Sequence, residues 1–467
     1  MSTRSIEPSP CRVTRGATRG IARGTHVLAA ITITAIPAVA LAGDCEPTWD
    51  PTFGQPGITS GIVFDHASLG GDLYASGNFT SIGGVAANRI ARWDGVAWSA
   101  LGTGLDAAEC YAIESYGGDL YAAGYFNVAG GVPGTAKIAR WDGTAWNALD
   151  AQLELFSNQL WDMTTWDDGG GEALYVVGNY QNAGGVAGAN FVSRWDGTAF
   201  TPVGGSIGGA VPLIVFTAHV WDDGDGEALY IGGRFLNVGG TAASRIAKWD
   251  GTAWSGLGAG LTGPGATPSV MAMAAFDDGT GEALYAAGQT FNDAGGVAVN
   301  RIARWDGTNW SAVGDGFDDG VVWGLQVFDD GNGPALYASG TFSASGGTPM
   351  TGLARWDGVS WENVGMTDDD TYRTLVFDDG TGDALYVAGR YSTIGGVTAS
   401  GIARLQACPS TGLVGDLDGD GDVDTGDLIN LLSQWGACPV AGPCPADFDG
   451  NDAVDTGDLI TLLANWS

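Results

Sequence analysis

Two twelve-residue stretches near the C-terminus hold the densest chemistry in the 467-residue chain. The first is Asp416-Leu417-Asp418-Gly419-Asp420-Gly421-Asp422-Val423-Asp424-Thr425-Gly426-Asp427. The second, 31 residues on, is Asp447-Phe448-Asp449-Gly450-Asn451-Asp452-Ala453-Val454-Asp455-Thr456-Gly457-Asp458. Oxygen-bearing side chains stand at positions 1, 3, 5 and 12 of each: Asp416, Asp418, Asp420 and Asp427, then Asp447, Asp449, Asn451 and Asp458. A hard cation such as Ca2+ takes six to eight oxygens at about 2.3–2.6 Å, and short carboxylates at alternating positions deliver them. Position 7 adds a backbone carbonyl (Asp422, Ala453) and position 9 a water-mediated carboxylate (Asp424, Asp455). Two Ca2+ sites are therefore expected. The second should be weaker, because Asp452 stands where the sharp turn at position 6 favours a glycine such as Gly421.

Each loop leads into a short apolar segment, Leu428, Ile429, Leu431, Leu432 and Trp435, then Leu459, Ile460, Leu462, Leu463 and Trp466. This spacing predicts two helices, each with all five residues on one face. No helix is predicted before either loop, so each half is a loop followed by a helix, with the ligand spacing of an EF-hand loop. The duplicated module, residues 412–467, resembles a type I dockerin. It contains 11 Asp and no Lys, Arg, Glu or His, so bound cations should offset carboxylate repulsion and couple to folding. The resemblance implies calcium-dependent attachment to a cohesin-like protein or a cell-surface component, read through loop positions 10 and 11. Those positions are Thr425-Gly426 and Thr456-Gly457, which makes Thr425 and Thr456 the partner-binding candidates.

The composition of the whole chain points to a second kind of structure. Over all 467 residues glycine numbers 79, aromatics reach 10% with 18 Trp, and 53 Asp+Glu against 19 Lys+Arg give a formal charge of −34. A disordered acidic chain would lack the aromatics, collagen would need glycine at every third position, and a nucleic-acid binder would need a basic footprint. Glycine with aromatics instead indicates short strands joined by tight turns.

One pattern recurs seven times: Leu-Tyr-x-x-Gly, a Gly-Gly loop, then Arg-Ile-Ala-Arg-Trp-Asp-Gly and a second Trp. In the fifth copy, strands are predicted at Met271–Phe276, Leu284–Gly288, Ile302–Trp305 and around Trp310, with a type I′ turn at Asp306-Gly307. Four strands in a repeat of about 50 residues make a propeller blade, so the expected fold is mainly β, a seven-bladed β-propeller with a small C-terminal α-helical calcium-binding domain. The repeat resembles a kelch-type blade over residues 45–408, although the paired glycine that usually ends the kelch second strand stands only at Gly232-Gly233. The recurring Asp-Asp-Gly turns, the Arg or Lys before each Trp-Asp-Gly, and the tryptophans themselves are read as structural.

The seventh copy stops at Leu405, while an unmatched segment around Trp49 precedes the first. The N-terminal segment is therefore expected to supply the outer strand of the seventh sheet, covering its edge. That arrangement predicts a Cys45–Cys408 disulfide, leaving Cys438–Cys444 as a second pair and Cys110 free.

Residues 1–42, five arginines with one glutamate and then an apolar run ending Ala40-Leu41-Ala42, read as a secretory signal. This gives three parts: 1–42 signal, 43–408 propeller, 412–467 calcium module. No transmembrane span is expected, and the mature protein is placed outside the cell or at its surface. Beyond the signal only His66 and His219 remain as histidines, and no catalytic residues are assigned. The expected function is a secreted calcium-binding protein. Its tail would mediate assembly or attachment while the propeller presents a binding surface, with a glycan as a candidate partner. The alternative is a polysaccharide-active hydrolase or lyase with its site on the propeller.

Overall fold

Strand-forming runs punctuated by glycine turns make this chain a succession of antiparallel sheets. The computed structural model describes residues 47–51, 53, 56–106, 108–149, 159–209, 212–265, 267–408, 417, 423, 425–438, 444, 446–448 and 453–466. Over these the protein is mainly β, with two nine-residue α-helices, α1 (Thr425–Ser433) and α2 (Thr456–Ala464).

Seven four-stranded sheets follow one another along the chain. Their first strands are β1 (Val63–Leu69), β2 (Cys110–Tyr116), β3 (Leu160–Asp167), β4 (Ile214–Asp222), β5 (Ser269–Asp277), β6 (Val322–Asp329) and β7 (Thr371–Asp378). In the fifth sheet β5 pairs with Glu282–Gln289, which pairs with Ile302–Trp305, which pairs with Trp310–Ala312. The Gly-Gly loop carries a further small hairpin, Asp293–Ala294 with Val297–Ala298.

Each first strand lies beside the next, and β7 lies beside β1. The hydrophobic core is accordingly split into seven clusters, each shared by two neighbouring sheets; one joins Leu73, Ala75 and Trp98 of the first sheet to Phe377, Tyr386 and Ala388 of the seventh. The closing tryptophans tie sheets together: the Trp146, Trp310 and Trp361 indoles donate to the Leu101, Leu257 and Val313 carbonyls of the preceding sheet.

The fourth strand of the seventh sheet is Thr48–Trp49, from the N-terminal end of the described chain. It pairs Thr48 with Gln406 and Trp49 with Leu405, and the Trp49 indole donates to the Val364 carbonyl as the other closing tryptophans do. The expected completion of the last sheet by the N-terminal segment is thus observed.

Two glycine positions explain much of the repeat. At the end of each second strand a Cβ would collide with the first strand, as at Gly77, where Ile62 O would lie 2.0 Å away. In the Trp-Asp-Gly turn the glycine takes φ near +90° (Gly307, +94°), whereas the preceding Asp does not have positive φ. The turn is therefore not type I′. Trp305 pairs with Trp310 across a four-residue loop, and Asp306 Oδ1 stabilises it by accepting from Thr308 and Asn309 N–H.

Candidate functional site

In every first strand the ladder to the second strand slips near its start. The residue passed over is Phe64 in β1, Tyr111 in β2 and Trp161 in β3. In β4, β5 and β6 it is Phe216, Met271 and Trp323, and in β7 it is the pair Tyr372-Arg373. A β-bulge re-aims a side chain, and these seven bulges bring all eight residues to the wall of one cavity of about 250 Å³. Consecutive rings touch: Trp323–Tyr372 at 5.9 Å, Tyr372–Phe64 and Phe64–Tyr111 at 5.3 Å, Tyr111–Trp161 stacked at 4.7 Å, and Trp161–Phe216 at 5.1 Å. Only Met271 interrupts this collar of six aromatic rings.

A buried charged cluster adjoins the cavity. The Arg373 guanidinium lies 3.2 Å from Asp162 and 3.9 Å from Asp65, so β7, β3 and β1 meet at one point. Asp65 and Asp162 each also accept a backbone N–H from a neighbouring first strand, Ile113 at 3.0 Å and Ala218 at 3.1 Å. Burial pushes the Asp65 carboxyl up to about 7, against the pull of Arg373 and with Asp162 adding to the rise. Burial likewise pushes Glu114 up to about 8, with Asp65 adding its repulsion. The nearby carboxylates, Asp162 foremost, keep Arg373 above its ordinary value despite its desolvation. Burial holds His66 down at about 3 and His219 at about 4, and the buried ring nitrogens His66 Nδ1 and Nε2 and His219 Nε2 have no partner among the described residues. The same is true of the indole nitrogens of Trp161 and Trp323.

The second candidate is the C-terminal pair of half-motifs. Asp427 and Asp458, position 12 of the two loops, are fully buried in the first turns of α1 and α2. Each accepts the backbone N–H of loop position 2: Leu417 at 2.5 Å and Phe448 at 2.6 Å. Asp455 caps α2 by accepting from Gly457 N–H while Asp458 accepts from Asp455 N–H, a reciprocal capping box. Asp447 and Ala453 also fall among the described residues, and Ala453 pairs with Ala437 in a short ladder. Asp416, Asp418, Asp420, Asp422, Asp424, Asp449 and Asn451 lie outside the described residues.

The expected five-residue apolar face divides in two. Leu431 and Leu462 are buried with Val423 and Val454, and Leu428 and Leu459 pack against them. Ile429, Leu432 and Trp435 are exposed, as are Ile460, Leu463 and Trp466. The physical reason is angular: the buried direction lies between i and i+3, so i+1 points away from it and i+4 sits at the rim of the face, and Trp435 and Trp466 fall beyond the helix ends. Thr425 and Thr456 are exposed first residues of their helices.

Cys438 and Cys444 are bonded, and Cys110 is free and buried. Cys408 is disulfide-bonded, while Cys45, its expected partner, lies outside the described residues, as does the expected signal, 1–42. Among the described residues no helix is long and apolar enough to cross a membrane.

The collar and the charged cluster were not anticipated from the sequence, although His66 and His219 both belong to first strands at its edge. The available signal lay in first strands aligned on the bulge: the residue there is always large (Phe64, Tyr111, Trp161, Phe216, Met271, Trp323, Tyr372), whereas the next varies from Asp65 and Asp162 to Gly324 and Arg373.

No protein-family model matches the chain. No curated protein matches it either. Among solved structures it is similar to the extracellular domain of the B. thetaiotaomicron protein BT4673. In two structures of that domain the identities are 11% and 12% and the TM-scores 0.47 and 0.49, covering 76% and 77% of this chain. The chain spans about two-fifths of that domain's length, 39% and 40%. It is also similar to BBS1N, solved in complex with ARL6DN, at 12% identity and TM-score 0.43, covering 79% of this chain and 97% of that one.

Proposed function

We propose that this chain is a secreted calcium-binding protein with two working parts. A seven-bladed, kelch-like propeller presents a ligand site on its axis. A dockerin-like tail attaches the molecule to a cohesin-like protein or a cell-surface component. The observation that carries this reading is the convergence of one bulged residue from each of seven sheets on a single cavity. Support for a propeller comes from the cyclic adjacency of first strands and from core clusters shared between neighbouring sheets. Support for the tail comes from the matched burial of Asp427 and Asp458, and from the twofold-repeated exposed apolar residues beside Thr425 and Thr456.

The test is calorimetric titration of the mature, full-length chain with Ca2+. Two sites are expected, the second weaker because of Asp452. Chelator should release any partner captured through the tail. Absence of calcium heat would defeat the attachment half of the proposal.

One observation favours a second reading, a polysaccharide hydrolase or lyase. Asp65 and Glu114 hold protons near neutrality beside the cavity, as a general acid must. Release of reducing ends or unsaturated product from a glycan panel would establish the enzyme, and a consistent blank favours binding.

A further inference from the structure

We propose that the axial cavity receives a single neutral sugar unit, held between the aromatic collar and Arg373. This inference rests on reading the cavity as the ligand site and adds the class of ligand.

Four features select that class. The first is the wall: flat rings such as Tyr111 and Trp161 offer π faces, on which the C–H face of a pyranose packs without losing hydrogen bonds. The second is the one charged side chain on that wall, the Arg373 guanidinium, which is paired with Asp162 at 3.2 Å. A guanidinium carries five N–H donors, and a sugar hydroxyl oxygen can accept from one of them.

The third is charge. Arg373 is offset by Asp162, and burial keeps the Glu114 carboxyl largely protonated at pH 7 and Asp65 about half so. An anionic ligand would be brought close to Asp162, 3.2 Å from the guanidinium, and a cationic one would meet Arg373 on the cavity wall. A neutral polyol incurs neither cost. The fourth is size, since about 250 Å³ lies below the usual range for drug-sized ligands and suits one ring.

The experiment follows tryptophan fluorescence and calorimetric heat of the full mature chain in Ca2+. The probes are glucose, galactose, mannose, xylose, N-acetylglucosamine and cellobiose, with glucuronate and choline as charged comparators. At least one neutral sugar should bind saturably. Met271→Trp, which closes the gap in the collar with the residue already used at that position in β3 and β6, should weaken binding at least tenfold with the melting temperature retained. If that variant melts early, Met271→Phe, the residue of β1 and β4, replaces it. A blank for all neutral sugars overturns the inference. Binding of glucuronate or choline alone, lost in the Met271 variant, overturns the sugar class and leaves the cavity as the site. Sugar binding that is unchanged in the Met271 variant overturns both.

Discussion

The far ends of the sheets and the starts of their first strands are both repeated, but in opposite ways. At the far end of the third to seventh sheets one arrangement recurs. An aspartate accepts a tyrosine hydroxyl and pairs with a third-strand cation: Asp168 with Tyr175 and Arg194, Asp223 with Tyr230 and Lys248, Asp278 with Tyr285 and Arg304, Asp330 with Tyr337 and Arg355, Asp379 with Tyr386 and Arg404. At the first-strand starts the backbone repeats, with a bulge in every sheet, while the side chains differ. Identical groups on a repeated backbone serve each sheet locally. Different groups on a repeated backbone around one centre make a single asymmetric site, and only because the charges do not repeat can Arg373 meet Asp65 and Asp162.

The sharpest way to break this distinction is to remove one arginine from each region. Arg373→Leu strands Asp162 and Asp65 without the guanidinium they face, and loss of one partner from a buried pair costs about 3–5 kcal/mol. Arg304→Leu leaves Asp278 with the Tyr285 hydroxyl and Thr280, so about 1.5 kcal/mol is expected. Denaturant midpoints at equal m-value measure both, and equal losses would show that the central cluster is no more integrated than a corner. A smaller step, Tyr285→Phe, deletes one hydrogen bond to Asp278 and should cost about 1 kcal/mol, again without altering sugar binding.

Much of the framework was legible because its signals are local. Glycine turns and a recurring Trp placed the four strands of the fifth sheet, including Ile302–Trp305 at its observed bounds. The unmatched Trp49 segment revealed the seventh sheet's last strand because a missing repeat unit leaves a complementary remnant. The aspartates of the Asp-Asp-Gly turns proved structural for a readable reason: Asp277 Oδ1 accepts from Gly279 and Gly281 N–H.

The cavity was not legible from single repeats. A bulge is a long-range property of two strands, and Glu114, Asp162 and Arg373 are brought together by sheets whose sequence neighbours do not resemble one another. The non-glycine residues at positive φ before the third strands, such as Arg89, Arg245 and Arg301, were equally hidden. Their side chains reach carbonyls of the following segment, as Arg301 does to Phe317 and Gly320. In the tail the helices were foreseen but their exposed faces were not, because hydrophobic spacing alone gives no burial when a helix is only nine residues long.

The smallest effect tests the electrostatic side of the comparison. The native protein holds protons on Glu114 up to about pH 8 and on Asp65 up to about pH 7, whereas unfolded carboxyls lose theirs near pH 4 to 4.5. The native state therefore binds more protons through that window, and these groups make stability fall as pH rises through it. His66 and His219 act oppositely, because the unfolded chain takes up protons below about pH 6.5 that the native rings refuse, so their contribution grows with pH and is complete near pH 7. Arg373, which faces the same cluster, stays ionised. Corner aspartates such as Asp223 and Asp278 are held below the usual carboxylate range by hydrogen bonds that outweigh their burial, and add no slope here. Between pH 7 and 8.5 the melting temperature should fall mainly through Glu114, by a few degrees at most. Glu114→Gln should flatten that limb and remove the same downward contribution to the slope down to about pH 4.5, leaving stability below that pH unchanged. An unaltered slope would mean that the centre titrates no differently from the rim.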